Sequence, residues 1–205
     1  MRDVSLLVGL IGAGIGLVGV IIAIYYGRKA DKLQKLQRSI SWAELQHMSD
    51  SISLKLKKDK FIPDLILCPG TRGSILAELL MNKFERNIPI FVGISYRDFH
   101  RKKELKLSSY VTFNIREDWD VLIPNDIFDF KNKKILIVDD FCNTGTFFKK
   151  LREFLVSNGF KKNNIKVYCC TITNVTKNSE RVPEYYSITT EDENFYFPWG
   201  QANLG

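Results

Sequence analysis

The chain has 205 residues, 45% of them hydrophobic, and a net charge of +7, a length that suits one domain with a proper core. Its positive excess gathers in residues 28–38 and 55–60 without any recognised nucleic-acid motif, which favours a membrane surface and argues against nucleic acid. Four cysteines (Cys68, Cys142, Cys169 and Cys170) lack metal-ligand spacing and read as reduced residues of a cytosolic domain, which excludes a disulfide framework.

Residues 6–26 are a run of 21 residues without a charge, about 30 Å as a helix at roughly 1.5 Å per residue and so long enough to span a bilayer. A secretory signal would have a shorter apolar core and a small-residue cleavage site. Residues 1–26 are therefore expected to be a retained transmembrane anchor. The basic flank Arg28, Lys29, Lys32, Lys35 and Arg38 predicts a juxtamembrane stalk over residues 27–38. The positive-inside rule then puts the N-terminus outside and the remainder in the cytoplasm, as a single-pass protein of the cell membrane. Gly12 and Gly16 form a G-x-x-x-G pair that allows close helix approach, as in a homo-oligomer.

Residues 39–205 read as the globular domain. Ser41 and Glu44 form a capping box that opens a helix with Leu45, Met48, Ile52 and Leu56 on its apolar face. A strand over residues 64–68 leads through a turn, residues 69–74, into a helix over 75–84. The next strand is expected over 89–95, followed by a polar, basic stretch to 107 and a strand over 110–114. Residues 124–130 are a connector. Residues 135–138 (Ile-Leu-Ile-Val) form a short buried parallel strand with Asp139 and Asp140 at its carboxyl end. A turn of small polar residues follows, then a helix with Phe147, Leu151 and Leu155 on one face. Strands over 164–173 and 185–189 complete the domain. This alternation predicts an α/β fold, a doubly wound parallel sheet covered on both faces. In such sheets ligands bind at the carboxyl ends of strands, and a helix N-terminus offers N–H groups to an anion.

The order of four apolar residues, two acids, two apolar residues and a Thr-Gly loop resembles the signature of type I phosphoribosyltransferases. Three further stretches carry the same resemblance: Ile40 to Glu44 with Pro63, Asp64 and the loop Thr71-Arg72-Gly73-Ser74; Ser95-Tyr96 before the basic run; and Pro198-Trp199. Together they span about residues 39–200 and are similar to the purine, xanthine/hypoxanthine-like branch.

The resemblance implies a phosphoribosyltransferase fold with a mobile hood and loop. It also implies phosphoribosyl pyrophosphate as donor, Mg²⁺ as cofactor and a purine-like nucleobase as acceptor. Asp139 and Asp140 would hold the ribose hydroxyls and the Mg²⁺ waters. Cys142, Asn143, Thr144, Gly145 and Thr146 would make the 5′-phosphate loop, and Thr71, Arg72, Gly73 and Ser74 the pyrophosphate loop. Ser95 and Tyr96 would close over the site. Lys177 lies near the family's base-contacting lysine. Asn194 stands at the base-stacking aromatic, leaving Phe195 or Tyr196 to supply that ring, and Trp199 is either packing or a second base contact.

The sequence also departs from the family. Asn143 replaces an acid common before Thr-Gly, and an amide cannot take a proton from the base. Phe147 stands where a phosphate-binding Thr is common, and Ser74 replaces a Gly. Donor binding is thus better preserved than the acceptor site. Two alternatives stay open beside the enzyme: a non-catalytic module sensing phosphoribosyl pyrophosphate or a nucleotide, and an anchored nucleotide-modifying effector of a defence or stress response.

Overall fold

Five parallel strands form the central sheet, and its three inner strands are largely buried because helices cover one side and a helix with a second sheet covers the other. The computed structural model describes residues 19–20, 22–29, 38–97, 107–191 and 195–202. The chain divides into two units, Met1–Arg38 and Ser39–Gly205. In the first unit, residues 19–20 and 22–29 are helical. No helix among the described residues is long and apolar enough to cross a membrane. Most of the expected anchor, residues 1–18 and 21, lies outside the described residues, as do residues 30–37 of the stalk.

The second unit opens with α1 (Trp42–Lys58). Its capping box forms: the Ser41 hydroxyl accepts the Glu44 N–H at 3.2 Å, and the Glu44 carboxylate accepts the Ser41 N–H at 2.7 Å. The chain continues through β1 (Leu65–Cys68), α2 (Thr71–Met81), β2 (Ile90–Val92), β3 (Ile94–Arg97), β4 (Tyr110–Arg116) and β5 (Trp119–Pro124). Then come β6 (Ile135–Cys142), α3 (Thr146–Ser157), β7 (Ile165–Thr173), α4 (Asn174–Lys177), β8 (Tyr185–Thr190), β9 (Phe195–Phe197) and β10 (Gly200–Gln201).

The parallel sheet has the order β2-β1-β6-β7-β8. Strand side chains alternate between faces, and the core splits accordingly. Ile66, Cys68, Leu136 and Val138 pack with α1 and α2. Leu65, Leu67, Ile135 and Ile137 pack with α3 and with Phe113, Ile115, Val121 and Ile123 of the second sheet. That second sheet is antiparallel, in the order β3-β5-β4. All four cysteines are buried and free.

Four departures from the sequence reading bear on the site, each for a tertiary reason. First, α2 starts at Thr71 rather than at 75, so the 71–74 loop is the first turn of that helix. Second, the expected strand over 89–95 divides at Gly93, whose N–H donates to the Cys68 carbonyl at 2.7 Å. The chain leaves the parallel sheet there, and a Cβ on Gly93 would lie 2.8 Å from the Leu122 carbonyl oxygen. Third, β5 was not expected; its buried Asp120 breaks the apolar pattern and is satisfied by the Asn114 amide at 2.9 Å. Fourth, β6 runs to Cys142, because pairing with β7 continues through Asp139, Phe141 and Cys142.

Candidate active site

A cavity of about 630 Å³ opens where β1 and β6 end. Its floor is the acid pair. Asp139 is half-buried and Asp140 buried, and one Asp139 oxygen accepts the Asp140 N–H at 3.0 Å. Burial, and then the neighbouring Asp140 charge, push the Asp139 carboxyl well above the usual carboxylate range. Asp140 is also raised by burial, against the pull of the Trp199 indole N–H, which donates to it at 3.0 Å, and of Arg72.

The phosphate-loop candidates lie on the next turn. Gly145 caps α3 with a φ of 72°, and a Cβ there would sit 2.4 Å from the Arg181 carbonyl oxygen, so only glycine fits. Gly145 has no side chain to cap α3; the Thr146 N–H reaches Thr144 Oγ1 at 3.5 Å, and the helix N-terminus at the cavity is of the kind that can receive an anion. The Thr144 hydroxyl donates to Thr146 Oγ1 at 3.2 Å, and Arg181 donates to the same oxygen at 2.8 Å. The Asn143 carbonyl is held by the hydroxyls of Thr173 and Thr176, and Asn143 itself lines the cavity.

Of the pyrophosphate-loop candidates, Thr71 and Arg72 line the cavity. Arg72 also donates to the Gln201 carbonyl on the β9–β10 hairpin. Gly73 does not line it but sets its width: a Cβ would lie 2.3 Å from the Val138 carbonyl oxygen, so only glycine lets α2 approach β6 this closely. Ser74 is turned aside, donating to the Thr71 carbonyl at 2.6 Å and facing a separate groove with Ile75 and Leu79.

Ser95 lines the cavity and Tyr96 does not, because neighbours on a strand point to opposite faces. The basic run 101–106 lies outside the described residues. Lys177 is exposed at the end of α4 and is not brought to the cavity. Phe195 needs correction as a base-stacking ring: it is fully buried against Phe141 and Phe197, at ring separations of 6.4 and 5.0 Å, and offers no face to a ligand. Trp199 stacks on Phe197 at 4.9 Å while its N–H reaches Asp140.

Sequence reasoning missed the wall opposite. Trp119 on β5 stacks on Phe147 at 5.1 Å and 13° and donates its N–H to Ser95 Oγ at 2.9 Å. The Arg97 guanidinium lies 4.3 Å from the centre of the Trp119 ring. Arg116 and Lys150 complete that side. No local motif flags these residues, since they meet only when β3, β4 and β5 fold against α3.

Among the described residues no three or more His, Cys, Asp or Glu groups gather to hold a metal. Two adjacent carboxylates fit a hard cation that keeps waters and substrate oxygens in its shell, not a cation caged by protein.

Residues 38–202 match the phosphoribosyl transferase domain family. The chain is similar to a purine phosphoribosyltransferase from Pyrococcus horikoshii, at 24% identity and a TM-score of 0.58, covering 82% of this chain and 97% of that one. A hypothetical protein from Neisseria gonorrhoeae with bound ppGpp superposes at 0.58 and 16% identity, over 82% and 92% of the two chains. Xanthine-guanine-hypoxanthine phosphoribosyltransferase of Helicobacter pylori gives 0.52 and 17%, over 80% and 94%. No curated protein sequence matches. These structural likenesses carry the fold, and the match over residues 38–202 carries the family. The chain belongs to the phosphoribosyl transferase family, as a phosphoribosyltransferase enzyme.

Proposed function

We propose that the chain transfers the ribose 5-phosphate unit of phosphoribosyl pyrophosphate to a purine-like base, with Mg²⁺, at the cytoplasmic face of the cell membrane. One observation carries this reading. The acid pair, the Gly145-led turn and the Thr71–Arg72 turn line a single cavity at the strand ends. In the reaction a base nitrogen forms a bond to the anomeric carbon as the bond from that carbon to the pyrophosphate oxygen breaks. Pyrophosphate leaves with the bonding pair, and the base loses a proton. Asp139 and Asp140 would hold the ribose hydroxyls and the waters of Mg²⁺, and that cation would supply charge to the leaving group. Arg72 adds positive charge on the same side, where fixed charge stabilises a developing anion. Asn143 hydrogen-bonds the acceptor but leaves its proton to water or to pyrophosphate.

The purine preference is supported by the purine enzymes among the similar structures. The anchor is supported by the described helix before residue 30, where Val20, Ile22, Ile24, Tyr25 and Tyr26 are each at least half exposed. Apolar surface of that kind is covered by lipid at lower free energy than by water.

A second reading, a module that binds the donor or a nucleotide without turnover, is favoured by the absence of Lys177 and Phe195 from the cavity. The full chain, given donor, Mg²⁺ and a panel of bases, is expected to release pyrophosphate with at least one purine. Donor binding by calorimetry without release with any base would favour the second reading. No donor binding would sink both.

A further inference from the structure

We propose that Arg181 is a positioning residue of the phosphate loop: its guanidinium holds the Thr146 hydroxyl so that this hydroxyl donates to the 5′-phosphate, and it sets a positive charge beside that phosphate. The inference rests on the reading that puts the 5′-phosphate on residues 142–146. A phosphate monoester is an anion at neutral pH, yet the five residues of that loop include no charged side chain. Any protein cation at that phosphate therefore comes from outside the loop.

Arg181 is fastened to the loop through its own segment. The Thr176 hydroxyl donates to the Asn143 carbonyl at 2.6 Å. The Ser179 hydroxyl donates to the Thr176 carbonyl at 2.8 Å and accepts the Arg181 N–H at 3.2 Å. The Arg181 backbone then lies against Gly145, where a Cβ would fall 2.4 Å from the Arg181 carbonyl oxygen and 2.6 Å from the Arg181 Cβ. From this seat the guanidinium donates to Thr146 Oγ1 at 2.8 Å, and the same oxygen accepts from the Thr144 hydroxyl at 3.2 Å. A hydroxyl oxygen accepts two hydrogen bonds and donates one, so the protein fills both acceptor positions of Thr146. Its own proton is left to donate, and Thr146 lines the cavity. Receiving a bond from a cation makes that hydroxyl a stronger donor, because chained hydrogen bonds polarise one another. Arg181 is exposed and does not itself line the cavity, so it acts on the phosphate through Thr146 and through its charge.

The test is calorimetric titration of the full-length protein with phosphoribosyl pyrophosphate in Mg²⁺ buffer. Arg181→Gln keeps the Cβ that packs on Gly145 and removes the charge. It is expected to weaken donor binding about tenfold, the size of one charge-assisted hydrogen bond. Arg181→Lys restores the charge without the fork and should bind the donor about threefold tighter than Arg181→Gln. Raising salt from about 0.1 to 1 M shortens the screening length from roughly 10 to 3 Å, so the gap between wild type and Arg181→Gln should narrow. A loop merely loosened by the substitution would lose the same factor at both salt concentrations and in both variants. Arg181→Gln binding as wild type does, Arg181→Lys binding no better than Arg181→Gln, or a gap that salt leaves unchanged overturns the role of Arg181 alone. Failure of the wild type to bind the donor overturns it together with the transferase reading.

Discussion

Asp139 shows what a donor site costs the fold. Its carboxyl is half-buried beside a second acid and titrates well above the ordinary value of 3.8. Below pH 3.8 the group is protonated in folded and unfolded chains alike and costs nothing. As pH rises from there through the raised folded value, the unfolded chain releases its proton first, so stability falls across that window. Asp139→Asn removes this loss. In metal-free buffer the variant is expected to melt at a higher temperature than wild type at neutral pH, to match it below pH 3.8, and to lose Mg²⁺-dependent donor binding. Melting curves across that range check the sign, and a variant that melts lower at neutral pH would contradict the burial argument. At this scale the acid pair and Gly145 were legible because their chemistry is contiguous in the chain. Trp119 and Lys150 were not, since nothing local marks either as facing a ligand.

Among the elements, α2 and β6 carry the sharpest constraint. Gly73 sits inside α2, where alanine would ordinarily gain about 1 kcal/mol of helix propensity. Here its Cβ would fall 2.3 Å from the Val138 carbonyl oxygen, a backbone atom that cannot swing aside. Overpacking costs roughly 1–3 kcal/mol, and a 2.3 Å approach to a backbone oxygen belongs at the upper end of that range, so it outweighs the propensity gain. Gly73→Ala is expected to lower stability by about 1–2 kcal/mol in denaturant titration and to weaken donor binding, because α2 must move away from the Asp139 strand. A variant as stable as wild type would show that the contact yields. The early start of α2 and the break at Gly93 were illegible for the same reason: both follow from contacts with strands distant in sequence.

At the scale of the whole molecule, the two units raise different questions. Ser39–Gly205 carries the cavity, and the uncharged run of residues 6–26 falls in Met1–Arg38. If that run anchors the protein, the full chain should sediment with membranes and resist extraction by high salt, since lipid burial of 21 uncharged residues does not depend on screening. Deleting residues 1–26 should move it to the supernatant with donor affinity retained. A full chain released by salt alone would point to surface attraction through the basic residues 28–38 instead.

The sequence by itself determined the class of fold, the strand bearing Asp139 and Asp140, the capping box of α1 and the glycine turn before α3. All depend on periodicity or on residues adjacent in the chain. Only the tertiary structure decided that Ser74 and Tyr96 turn from the cavity, that Phe195 is core, and that Trp119, Phe147, Arg97, Arg116 and Lys150 share one wall. Those outcomes depend on the face each side chain takes once the β3-β5-β4 sheet packs on α3. A one-residue change of register reverses that face without changing the composition of any segment.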